Sequence, residues 1–231
     1  MNIYFVSSFD RNKDEKRAIK KAKPEHILIS FYYANKDMKV FTDFIGYKPK
    51  IMLDSGAYSA WKSEKELLID DYINYIKENT DYIDEYIAFD CIGNPEKTYK
   101  NYIKMLDEEL NPIPVYHYGS DIFYLEKYLQ NTNRIALGNT VPIRNKNHVA
   151  NWINHLISKY PDSKFHLLGS TSKAIIKNCP GLVSCDSTTY SIRPAMGKPK
   201  FIDGKVDKMI YWINEILEED KKPKIERLSM F

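Results

Sequence analysis

Three aspartates each stand where a short apolar run gives way to polar or small residues. Asp54 follows Ile51–Leu53 and opens the segment Asp54-Ser55-Gly56-Ala57-Tyr58; Asp90 follows Tyr86–Phe89; Asp186 follows Leu182–Cys185. Carboxylates gathered in one place can do three kinds of chemistry. They can hold a hard divalent cation such as Mg²⁺, serve as nucleophile and acid/base at a glycosidic bond, or abstract and return a proton. Residue type and spacing alone leave all three open. An aspartate at a strand end also caps helices and anchors turns, a role that explains any one of the three more easily than all of them. Other apolar runs end in His117-Tyr118-Gly119, Gly138-Asn139 and Gly169-Ser170.

These residues need elements to carry them. The apolar runs Ile3–Val6, His26–Ser30, Ile51–Leu53, Tyr86–Phe89, Ile113–Tyr116, Arg134–Leu137, Phe165–Leu168 and Leu182–Cys185 have the length of buried strands. Between them lie stretches with helical spacing: Lys13–Lys23, Glu64–Glu78, a helix opened by Asn94-Pro95, Ile122–Leu129, Asn147–Lys159, Ser172–Asn178 and Val206–Glu219. Only the link after the second strand is undefined. Strand–helix alternation implies a parallel sheet. Eight repeats favour a closed (β/α)8 TIM barrel, whose catalytic groups gather at the C-terminal ends of its strands. A length of 231 residues suits one such domain, 1–231, with 220–231 as a peripheral charged tail.

Composition narrows the class. Hydrophobic residues make up 43% and charged residues 28%, enough for a core and a well-solvated surface. The net charge of +3 permits a local basic patch without requiring one. Cys91, Cys179 and Cys185 form no Cys-x-x-Cys pair and no even framework, which fits a reducing cytosol. No charged region precedes the first apolar stretch, so no signal peptide is expected, and no apolar run has the length of a membrane span. A cytoplasmic protein is the expectation. His26, His148, His155 and His166 lack metal-ligand spacing on a common face and read as structural or surface residues; His117 stands out because it ends a strand beside the other candidates.

The strand-end segments, taken in order, resemble a known family. Leu53-Asp54-Ser55-Gly56-Ala57-Tyr58 resembles the Asp-Ser-Gly-Gly-Phe/Tyr-Gln segment of the tRNA-guanine transglycosylases, and Ala88-Phe89-Asp90-Cys91 their Phe-Asp-Glu-Cys. Val115-Tyr116-His117-Tyr118-Gly119 sits where that family has Val-Gln-Gly-Gly, and Ile135-Ala136-Leu137-Gly138-Asn139 is similar to its Gly-Gly-Leu region. Phe165-His166-Leu167-Leu168-Gly169 resembles its Tyr-Leu-Met-Gly, and Cys185-Asp186-Ser187-Thr188 its Phe-Asp-Cys-Val. The compact form is also similar to queuine-transferase-like proteins of phages. The resemblance implies exchange of guanine in nucleic acid for a free 7-deazaguanine such as preQ0, through a covalent glycosyl-enzyme. It makes Asp186 the nucleophile and Asp54 the acid/base, with Ser55 orienting Asp54. Asp90, His117, Gly138 and Gly169 would meet the polar edge of the base, and Tyr58 and Leu168 its faces.

The departures from that family matter too. After Cys185 no cysteine or histidine follows that could build the family's zinc site, so no metal and no cofactor are expected, and DNA is favoured over tRNA as the polymer. Thr189–Lys200, expected as a loop, offers Arg193, Lys198 and Lys200 to phosphates, with Arg144 a weaker case. Two other expectations stand beside this one: a metal-dependent barrel hydrolase using the aspartates, and a non-catalytic nucleic-acid or nucleobase-binding module.

Overall fold

In the computed structural model, which describes residues 1–9, 12–34 and 38–222, the expected alternation is present from end to end. The strands are β1 (Asn2–Ser7), β2 (His26–Ser30), β3 (Lys50–Asp54), β4 (Glu85–Tyr86), β5 (Val115–His117), β6 (Arg134–Gly138), β7 (Lys164–Leu167) and β8 (Ser184–Ser187). The helices are α1 (Lys13–Ala22), α2 (Met38–Ile45), α3 (Ala57–Lys62), α4 (Ile69–Glu78), α5 (Pro95–Asp107), α6 (Ile122–Leu129), α7 (Lys146–Lys159), α8 (Lys173–Asn178), α9 (Thr189–Ala195) and α10 (Lys205–Lys221). All strand pairs are parallel, in the order β4-β3-β2-β1-β8-β7-β6-β5. The two ends of that sheet meet through a parallel bridge between Ile87 and Ile113, with Ile113 N donating to Tyr86 O and Ala88 N to Ile113 O, both at 2.8 Å. The sheet is therefore a (β/α)8 barrel in a single domain.

Local chemistry explains the element boundaries. Asn12 accepts from the backbone N–H groups of Asp14 and Glu15 to cap α1, and Asn94 accepts from Lys97 N ahead of Pro95 in the first turn of α5. Strand side chains alternate between two packed layers. Ile3, Phe5, Ile27, Ile29, Ile51, Leu53, Ile135, Leu137, Phe165, Leu167 and Cys185 face the helices. Tyr4, Leu28, Met52, Ile87, Val115 and Ala136 fill the barrel interior.

Several expected boundaries change. The periodic stretch Glu64–Glu78 starts its helix only at Ile69, because Leu68 is extended and 55% exposed, and a separate short helix, α3, precedes it. The undefined link after β2 contains α2, whose Met38, Phe41 and Ile45 are buried. The segment expected as the loop 189–200 begins as helix α9. Of the expected tail, residues 223–231 lie outside the described residues; 220–221 complete α10. No helix among the described residues is long and apolar enough to cross a membrane.

Candidate active site

The second residue beyond each interior position reaches the C-terminal mouth. Alternation thus turns Ser30, Asp54, His117, Gly138, Leu168 and Asp186 toward one opening. Strand four breaks the alternation. Ala88 and Phe89 both pack in the outer layer, Phe89 against Tyr72 at 5.7 Å between ring centroids, so the phase slips by one residue and brings in Asp90.

Asp90 is held firmly. Its Oδ1 accepts from Cys91 N (2.7 Å) and from Thr98 Oγ1 on α5 (2.9 Å), and it lies 2.8 Å from His117 Nε2. These contacts fall on one oxygen and leave Oδ2 without a donor among the described residues. Gly138 makes room for this pair: a Cβ there would come within 2.9 Å of Val115 Cγ1 and 3.0 Å of His117 Cδ2.

Asp186 is 5% exposed and accepts the Gly169 N–H at 3.1 Å on both carboxyl oxygens. Gly169 holds φ +75°, a conformation natural to glycine, and a Cβ would meet Val141 Cγ2 at 2.7 Å. His166 Nε2 lies 3.1 Å from Asp186 Oδ1. The sequence had set His166 aside as structural. The signal that points inward was its spacing of two residues from Leu168 on the same strand.

Asp54 touches solvent but is densely surrounded by protein. Gly56 N donates to its Oδ2 at 2.9 Å. Burial first, then the charge of Asp186, and more weakly that of Asp90, push its carboxyl up from 3.8 to about 7; the backbone donors Gly56 and Ser55 offset part of this. The charges of Asp186 and Asp90 thus both bear on Asp54. Ser55, which follows Asp54, is fully buried, and neither its Oγ nor that of Ser30 has a hydrogen-bond partner among the described residues.

The other expected site residues have these surroundings. Tyr58 is 48% exposed and leans on Trp61 at 6.1 Å. Leu168 packs on the interior layer with Val6. Arg193 stacks on the Trp212 ring at 4.1 Å, and Arg144, Lys198 and Lys200 are exposed. Lys146, after β6, donates to the carbonyls of Thr140 (3.1 Å) and Val141 (3.3 Å). Among the described residues no group of three His, Cys, Asp or Glu side chains is placed to hold a metal ion, which counts against the hydrolase built on a caged Mg²⁺.

No family model matches the chain, and no curated protein matches it. Solved structures do. An orotidine 5′-monophosphate decarboxylase from Metallosphaera sedula aligns with a TM-score of 0.55 and 15% identity over 96% of this chain and 98% of that one. An N-acetylneuraminate lyase from Mycoplasma synoviae aligns at 0.54 and 14%, over 92% and 80%. A 4-hydroxy-2-oxoglutarate/2-dehydro-3-deoxyphosphogluconate aldolase aligns at 0.56 and 6%, over 95% and 94%. At these identities the likeness is one of fold.

These comparisons correct the expectation of a tRNA-guanine transglycosylase and of base exchange in nucleic acid: the neighbours are aldolase, lyase and decarboxylase barrels. The alternatives of a metal-dependent hydrolase and a non-catalytic binding module gain no support either. The physical reason is that short Asp-, Gly- and Ser-containing segments at successive strand ends are what this architecture asks for at its mouth, whatever the reaction. Six such segments in order describe the barrel before they describe a family.

Proposed function

We propose that this chain is an enzyme that transfers a proton on a small substrate, with Asp54 as the acid and Asp186 as the base. The observation that carries this is the raised Asp54 carboxyl, pushed to about 7 beside a second carboxylate that has donors of its own. Two carboxyl groups whose surroundings differ in this way divide the acid and base roles between them. The chemistry fits a lyase or an isomerase, in which one group removes a proton and another returns it.

The same residues speak to the substrate. Among the described residues, the strand ends turned toward the mouth carry carboxylates and no Lys or Arg side chain. A substrate presenting N–H donors or a positive charge matches Asp90 Oδ2. Schiff-base chemistry would need a lysine amine in the mouth, and Lys146 is engaged with two carbonyls.

The test is solvent exchange. The protein is incubated in D₂O with a panel of small amino, amido and amidino carbonyl compounds, and carbon-bound deuterium is read by mass spectrometry. Incorporation with some member of the panel is expected, falling roughly 10²–10⁴-fold in Asp54→Asn and in Asp186→Asn. Asp54 donates only while protonated, so the rate should fall as pH rises through about 7. Exchange that survives both substitutions would refute the assignment.

A further inference from the structure

Below the mouth a line of hydrogen bonds continues down the barrel interior. His166 Nδ1 lies 2.8 Å from Ser184 Oγ. Arg134 Nη2 donates to the same Ser184 Oγ at 2.9 Å. Arg134 also pairs with Glu85, through Nε at 3.2 Å and Nη2 at 3.3 Å, and Tyr4 OH donates to Glu85 Oε2 at 2.9 Å. His166 and Ser184 are fully buried. Five strands, β1, β4, β6, β7 and β8, contribute one or two residues each to this line.

The direction of each bond follows from what each group can do. A guanidinium only donates. Ser184 therefore receives Arg134 on one of its two lone pairs and still has its proton to give. Asp186, ionised in its role as base, only accepts, so the one proton of a neutral imidazole sits on Nε2 and is aimed at Asp186 Oδ1, and Nδ1 accepts the Ser184 proton. The Tyr4 ring, edge-on to His166 at 5.6 Å and 82°, limits rotation of the imidazole.

We propose that His166 is a positioning residue for Asp186, with Ser184, itself held by Arg134, as the donor to its Nδ1. The inference rests on the reading of Asp186 as the working base. It gives Asp186 a side-chain donor that Asp54 lacks, and so accounts for which of the two carboxyls keeps the proton. The logic is that of a catalytic base oriented by a third group behind it.

The experiment is ¹⁵N–¹H correlation of the imidazoles in the full-length, ¹⁵N-labelled protein at pH 7, with His166 assigned by the loss of its signals in His166→Gln. The expected pattern is a pyrrole-type Nε2 and a pyridine-type Nδ1. In Ser184→Ala the two shifts should move toward each other as the tautomers mix, and the exchange rate should drop roughly tenfold or more, with kcat affected more than KM. Ser184→Thr keeps the hydroxyl and should restore both. A pyridine-type Nε2 in the native protein, two protonated nitrogens, or unchanged shifts in Ser184→Ala would overturn the proposal. The two proposals fail separately. The expected imidazole pattern together with an active Asp186→Asn leaves the positioning intact and removes the proton-transfer function. A wrong tautomer together with an inactive Asp186→Asn does the reverse.

Discussion

The two ends of this barrel treat a carboxylate in opposite ways. Toward the N-terminal end, burial pushes Glu85 up, but the charge of Arg134 and hydrogen bonds from Tyr4 and Arg134 outweigh it, and the carboxyl ends below its ordinary range. At the mouth, Asp54 has the charges of two other carboxylates acting on it and, among the described residues, no cation, and rises to about 7. Burial acts in the same sense at both places; the partner decides the outcome. The lower end is built to keep its charges paired and fixed. The mouth is built with charge left over, which is how a site differs from a scaffold.

The sharpest way to break this contrast is to make the lower end resemble the mouth. Arg134→Met strands Glu85 and should cost about 1–3 kcal/mol in urea denaturation, since removing one partner of a half-buried pair leaves an uncompensated charge that solvent screens only in part. Adding Glu85→Leu should recover at least half of that loss, because two apolar side chains carry no such debt. A double variant as unstable as the single one would mean that Glu85 is not the source of the penalty.

The next test lies at the mouth. Gly138→Ala places a methyl against Val115 and His117, and should lower stability by about 1–3 kcal/mol and displace His117 from Asp90. Its thermal unfolding, together with the His117 imidazole shifts, checks both effects. An unperturbed His117 would show that the close approach relaxes elsewhere.

A smaller effect tests Asp54 itself. The folded chain holds the Asp54 proton up to about pH 7, whereas an ordinary aspartate releases it near 3.8. Stability is therefore lost as pH rises through that interval, and the penalty is complete above it. Asp54→Asn removes the charge and should stabilise the protein by about 1–2 kcal/mol at pH 8, discounted for the partial exposure of the group, and by little at pH 4. Equal melting shifts at the two pH values would contradict the raised carboxyl.

The smallest expected effect concerns the surface. Arg193→Ala should cost about 0.5–1 kcal/mol through loss of its stacking on Trp212. An unchanged melting temperature would show that this cation is free for a ligand instead.

Much of the fold was legible from the chain because alternation of apolar runs and amphipathic stretches reports burial directly. The strand at Arg134–Leu137 and the helices at Ile122 and Asn94-Pro95 fall where the sequence places them. The misplaced elements have local causes. Leu67 and Leu68 carry helical spacing but precede the helix, since spacing does not reveal where the chain turns. Thr189–Lys200, expected as a loop, forms α9 in its first part, with Pro194 in the last turn. The transglycosylase resemblance failed for a different reason: its segments coincide with the positions any barrel mouth fills with small and acidic residues.

The sequence by itself determined that this is a β/α barrel, and that Asp54, Asp90 and Asp186 lie at or just beyond the C-terminal parts of three of its strands, because burial periodicity is a property of neighbouring residues. Which side chains face one another was decided by the closure of the sheet. The phase slip at Ala88-Phe89 brings Asp90 to His117 across the Ile87–Ile113 seam, and the pairing of β7 with β8 sets His166 beside Ser184 and Asp186. Those residues are separated by 18 to 27 positions in the chain. Contacts over such distances are fixed by register between strands, and register is a property of the assembled barrel.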